Sequence, residues 1–130
     1  MSDTTMLRPG DVFPHIQVKT LDGQTFRYAA IWQSKQLVLL VIGTSQADTD
    51  YASAVTSRAS EFSNRETECV VTHDDVTGLR TPSVVIADRW GEVIHIAEPS
   101  SSAELPSVDE LIEWVDYVRR RCPECEGEAS

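Results

Sequence analysis

Cys122-Pro123-Glu124-Cys125 is the one stretch of this sequence whose residue types and spacing point to redox or metal chemistry. Two thiols separated by two residues can close an intramolecular disulfide, and Arg119, Arg120 and Arg121 just before them favour a thiolate at Cys122. Against that, the pair follows a helical pattern rather than opening one. The negative end of a helix dipole, with Glu124, Glu126 and Glu128, pushes thiol pKa values up. The two sets of charges oppose one another, so three readings stand side by side: a redox pair, a metal site, or a tail without chemistry.

A zinc site needs four ligands, which Cys69, His73, Cys122 and Cys125 would supply as three sulfurs and one imidazole. Four residues of strand span about 13 Å, so Cys69 and His73 reach one ion only if the strand has ended between them. Sharing the Cys-x-x-Cys pairs of two chains gives four thiolates by symmetry and is the better metal hypothesis. Without a metal, Cys69 reads as a small buried hydrophobe. His73-Asp74-Asp75 has the composition of a carboxylate–imidazole pair, but nothing in the spacing joins it to Ser45 or Thr44 as a triad. Thr44, Ser45 and Gln46 could donate to an anion at a helix N-terminus, and capping by Ser45 and Asp48 is the plainer explanation.

The elements that must position these residues are readable from periodicity. Ile16, Val18 and Thr20 alternate up to Leu21-Asp22-Gly23-Gln24, and alternation resumes at Phe26 and Tyr28, a β-hairpin with Asp-Gly at its turn. Leu37 to Ile42 is apolar at every position, as in a central strand covered by helices on each side. Tyr51, Ala52, Val55, Ala59 and Phe62 predict one amphipathic helix of about four turns, ending near Ser63-Asn64. A second buried strand surrounds Cys69, Val70 and Val71. A third runs from Ser83 to Ala87, turns at Asp88-Arg89-Trp90-Gly91, and returns with Val93, His95 and Ala97 on one face and Ile94 and Ile96 on the other. Ser107 and Glu110 form a capping-box pattern ahead of Val108, Leu111, Ile112, Val115 and Val118, and Arg119 to Arg121 complement that helix's C-terminal end. Trp114 shares the helix with Val115 and is a candidate to face a partner, while Trp32 and Trp90 read as packing.

Composition narrows the function classes. The 130 residues suffice for one domain, and 41% hydrophobic with 25% charged residues describe an ordinary folded chain. Eleven Lys and Arg against 21 Asp and Glu give a net charge of −10, which repels nucleic acid and anionic membrane surfaces. The longest apolar run, Leu37 to Ile42, is six residues where a membrane span needs about 20. Three cysteines are too few and too odd for a disulfide framework, so a cytoplasmic location is expected.

The order hairpin, buried strand, helix, buried strand, hairpin, helix resembles the thioredoxin-like fold of the redoxin and peroxiredoxin family. Three stretches carry the resemblance: Gly10-Asp11-Val12-Phe13-Pro14 running on to Thr20-Leu21-Asp22-Gly23 and Phe26; the strand and helix layout from Leu37 to Phe62; and Thr81-Pro82 followed by Val84-Val85-Ile86-Ala87-Asp88 and Gly91-Glu92-Val93. It implies an α/β fold, a central mixed β-sheet flanked by helices with an N-terminal β-hairpin. One domain is expected over residues 9–121, with a loose arm over 1–8 and an acidic Cys-x-x-Cys tail over 122–130.

The resemblance also implies a cis-proline loop at Thr81-Pro82 and a substrate groove lined by Thr44, Thr81 and Pro82. The departures matter as much. A peroxiredoxin loop reads Pro-x-x-x-Thr-x-x-Cys, whereas here Leu40 stands at the proline and Ala47 at the reactive cysteine. A methyl group cannot become a thiolate. The family's arginine has no secure counterpart, because Arg80 precedes Thr81-Pro82. Residues 73–80 are also short for the helix that usually crosses between these strands. Three functions remain: thiol–disulfide exchange by Cys122 and Cys125 on a protein thiol, a non-catalytic partner-binding module, or a homodimer clamped by zinc. No cofactor and no resident metal are assigned.

Overall fold

Gly23 supplies the positive φ, +88°, that lets the Asp22-Gly23 turn close. In the computed structural model, which describes residues 6–120, β1 (Gln17–Lys19) and β2 (Thr25–Arg27) therefore pair antiparallel, with Val18 opposite Phe26. Both of these are buried and their strand neighbours are exposed, as period-2 alternation requires. The main sheet has the order β4-β3-β5-β6. β3 (Gln36–Val41), buried at all six positions, lies parallel to β4 (Thr67–Thr72) and antiparallel to β5 (Ser83–Ala87), and β6 (Val93–Ala97) forms the far edge.

The two faces of this sheet are covered differently. Val38, Leu40, Ile42, Val84 and Ile86 meet the helices α1 (Gln46–Thr56), α2 (Ala59–Ser63) and α3 (Val108–Arg120). On the other face, Leu37, Leu39, Val41, Val85, Ala87 and Val93 pack against Phe13, the hairpin residues Val18 and Phe26, and Tyr28, Ile31 and Val76. The expectation of helices on both sides of β3 is thus corrected. Residues 73–82 run as turns, too short to lay a helix across the sheet, and the N-terminal segment fills that layer. Asp74 Oδ2 accepts from Lys19 N–H (2.8 Å) and Thr72 Oγ1 donates to the Lys19 carbonyl (2.7 Å), fixing the hairpin against the end of β4.

Three local expectations also change. The single four-turn helix breaks after Thr56. Arg58 leaves helical geometry at φ −110°, ψ 21°, while its guanidinium pairs with Glu61 and, at 2.8 Å, with Asp109 at the start of α3. Leu7 and Arg8, expected in a loose arm, are held: Leu7 N–H donates to the Gly78 carbonyl (2.9 Å) and Arg8 N–H to Asp11 Oδ2 (2.9 Å). The strict alternation along β6 fails because the β5–β6 register slips at a bulge, pairing Ile86 with His95 but Ala87 with Val93. Val93 and Ile96 consequently share one core face, while Ile94 packs on the helix side and His95 stacks on Trp114.

Candidate functional site

The β3–β5 register ends with Val41 opposite Ser83, so the residues that follow Val41 and those that precede Ser83 leave the sheet at the same end. This is what brings Thr44, in the loop before α1, to the end of the molecule that carries Thr81 and Pro82. The Thr81-Pro82 peptide bond is cis. Thr44 and Thr81 are exposed and Pro82 is half-buried, whereas Ser83 is fully buried, with an Oγ that has no partner among the described residues.

The first turn of α1 is closed by its own side chains. Ser45 Oγ accepts from Asp48 N–H (3.1 Å), and Asp48 Oδ2 accepts from both Ser45 N–H (3.1 Å) and Ser45 Oγ–H (2.8 Å), a complete capping box. Asp48 is 7% exposed. Its carboxylate lies over Gly43, where a Cβ would stand only 2.9 Å from Asp48 Oδ2, so glycine is what lets the acid approach the backbone. The positive end of the helix dipole is thereby occupied by a carboxylate belonging to the helix itself. Ala47, the second residue of α1, is exposed beside it.

Among the described residues the single cysteine is Cys69, in β4. It packs on the helix side of the sheet, and burial, followed by the Glu68 carboxylate, pushes its thiol up to about 12. Such a thiol is protonated at neutral pH and is a poor nucleophile, although Cys69 is partly buried and not the fully buried hydrophobe that the sequence suggests. His73 is engaged elsewhere: its Nδ1 donates to the Ile42 carbonyl (3.1 Å), and Asp74 accepts from Lys19 N–H. No three His, Cys, Asp or Glu side chains among the described residues are grouped to hold a metal ion. Cys122 and Cys125 lie outside the described residues. No helix among the described residues is long and apolar enough to cross a membrane.

A second cluster escaped the sequence reading. His95, at the β6 edge, stacks on Trp114 of α3 at 4.1 Å between ring centroids and 11° between planes, and Tyr117 stands perpendicular to Trp114 at 5.6 Å and 88°. Glu110 and Glu113 line the same surface. The spacing of Glu110, Glu113, Trp114 and Tyr117, which is i, i+3, i+4, i+7, carried this signal in the sequence. The bulge that aims His95 did not announce itself there.

No family model matches this sequence, and no curated protein matches it. Similar folds do occur among solved structures. Reduced 2-Cys peroxiredoxin of Plasmodium vivax superposes with a TM-score of 0.70 at 14% identity, over 86% of this chain and 82% of that one. AhpC of Mycobacterium tuberculosis gives 0.69 at 14% identity, over 88% and 94%. The yeast mitochondrial 1-Cys peroxiredoxin gives 0.68 at 14% identity, over 88% and 77%. Hairpin, mixed sheet, helix layer and these likenesses together establish that the chain has the thioredoxin-like fold that peroxiredoxins use.

Proposed function

We propose that this chain is a thioredoxin-like, redoxin-type protein that has given up peroxide chemistry in the loop before α1 and binds a protein partner at the sheet end formed by Thr44, Thr81 and Pro82. The observation that carries this reading is the sealed first turn of α1. On the resemblance of this loop to the peroxiredoxin pattern, Ala47 takes the place of the reactive cysteine, and the Asp48 carboxylate, which accepts from Ser45 N–H and Ser45 Oγ–H, sets a negative charge at the helix end where a thiolate would need stabilising. A loop of this kind has no thiol, and its outer side chains stay exposed for contact.

A second reading is favoured by the spacing of Cys122 and Cys125, which permits a disulfide between them, and by the arginines before them. In it the tail exchanges disulfides with a protein thiol while the folded domain supplies the docking surface. One set of measurements separates the readings. Peroxide consumption with a thiol reductant should match that of the Ala47-bearing chain with all three cysteines replaced by serine. The reduction potential of a Cys122–Cys125 couple, measured against glutathione, tests exchange. A reversible couple near the cytosolic poise supports the tail reading. Thiols inert to glutathione leave partner binding alone, and stoichiometric zinc lost on Cys125→Ser points to the clamped dimer. Peroxide turnover that survives Cys122→Ser and Cys125→Ser overturns the reading of the sealed loop.

A further inference from the structure

β4 forms one border of the main sheet, and the phase of its hydrogen bonds shows which of its peptide groups face outward. Gln36 N–H donates to the Glu66 carbonyl (3.1 Å) and Ile42 N–H to the Thr72 carbonyl (3.0 Å), with an unbroken β3–β4 register between them. Glu68, Val70 and Thr72 therefore turn their peptide groups towards β3, and Thr67, Cys69 and Val71 turn theirs away from it. No strand among the described residues pairs with that outer edge from Thr67 to Val71. The hairpin closes it only at its far end, where Thr20 bridges to Thr72.

The edge is recessed between two walls. Exposed Leu21, Asp22 and Gln24 of the hairpin stand on one side and exposed Thr56, the last residue of α1, on the other, while Cys69 and Val71 between them are partly buried. These residues enclose a hollow of about 410 Å³. A second hollow, of about 600 Å³, shares Leu21 and Thr56 with the first and continues over Ile42 and Ala52 to His73. Neither hollow is lined by a lysine or arginine, and their charged side chains are Asp22 and Glu68, with His73 at the far end. Glu68 lies 3.5 Å from Lys35. Asp22 accepts from the Thr20 hydroxyl and from Gln24 N–H and pairs with no cation among the described residues.

The walls decide what can sit here. A second copy presents a β4 edge recessed in the same way, so hairpins and helices would meet before the two edges came within pairing distance, on molecules that each carry −10. A single extended chain is thin enough to enter. One of its sides would face Cys69, Val71 and Thr56 and the other Val70 and Phe26, small or apolar surfaces that suit β-branched side chains. We propose that the outer edge of β4 takes up an extended segment of a partner protein as an additional strand, a segment rich in β-branched residues and carrying a lysine or arginine to meet Asp22. Its backbone pairs with Cys69 and Val71, and its side chains fill the furrow on either side of them. Thr44, Thr81 and Pro82 line neither hollow, so this surface is separate from the sheet end described above.

The test combines fluorescence anisotropy, using a labelled peptide in which valine alternates with lysine and threonine, with hydrogen exchange of the protein's own amides by NMR. Before peptide is added, Cys69 and Val71 N–H should exchange at least about tenfold faster than Val70 and Thr72 N–H, which pair with β3. Saturating peptide should slow the first two by a similar factor. Methylating the peptide's backbone amides, or replacing its lysines by glutamate, should weaken binding by at least about tenfold. Thr56→Trp fills the furrow and should abolish binding, and Asp22→Asn should weaken it several-fold. Ala54→Trp, exposed on the same helix and outside both hollows, should change affinity less than about twofold, and all three variants should keep the unfolding midpoint. Absence of saturable binding overturns the proposal. So does binding that survives Thr56→Trp or leaves exchange at Cys69 and Val71 unchanged. Slow exchange at both amides before any peptide is added would assign the edge to another segment of this chain in a monomer, or to a second copy where sedimentation shows a dimer, and either result overturns it too.

Discussion

Two groups of carboxylates on this molecule sit in opposite circumstances. At the start of α1, Asp48 is buried, accepts two hydrogen bonds from Ser45 and fits over a glycine. On the side of α3, Glu110 and Glu113 are exposed, border an aromatic stack and have no ion pair among the described residues. The first group is satisfied from within, so removing it should cost stability and disturb no ligand. The second is exposed and without an ion pair among the described residues, so it contributes little to the fold. An acid's role here follows from whether its hydrogen-bonding capacity is used up by its own chain.

This contrast can be broken most sharply at Asp48. Asp48→Ala strips the capping box and leaves two Ser45 donors to find new partners, so urea unfolding should show a loss of about 1–2 kcal/mol. Glu110→Gln/Glu113→Gln should stay within about 0.5 kcal/mol of the parent. Equal costs at the two places would erase the distinction. Next in size is Ala47→Cys, which places a thiol beside the Asp48 carboxylate. Its pKa, read from the pH dependence of alkylation, should fall by about one unit when Asp48→Asn is added. No change would mean that the carboxylate does not govern this helix end.

Gly43→Ala probes the same cap from the backbone side, because the added Cβ would meet Asp48 Oδ2 at 2.9 Å. It should cost about 1 kcal/mol in the parent and clearly less in an Asp48→Ala background, a coupling that a double-mutant cycle measures. The smallest effect belongs to His95 on the open side. Burial holds its imidazole below the usual value of 6.5, with Glu110 opposing as the lesser influence. A histidine whose folded pKa is depressed is favoured neutral, so its share of stability is present above the unfolded value and declines as pH falls from about 6.5 towards the folded value. His95→Gln should flatten that part of the stability–pH curve. An unchanged slope would show that His95 does not titrate differently on folding.

Much of the scaffold was legible because its causes are local. The Asp22-Gly23 turn, the all-apolar β3, the Ser45 cap and the α3 stripe each follow from residues within a few positions of one another. The order of these elements and their motifs also implied the thioredoxin-like fold and the cis Thr81-Pro82 bond, both of which the structure contains. What the sequence could not decide depended on contacts between distant segments. Arg58 breaks the first helix while paired with Asp109, 51 residues on. The second face of the sheet is covered by the N-terminal hairpin because the connection after β4 is too short for a helix. The bulge in β6 moves His95 onto Trp114, assembling an aromatic surface from a strand edge and a helix. Local periodicity fixes which side of an element is apolar, but only the packed chain fixes what that side meets, and the candidate sites of this protein are made of such meetings.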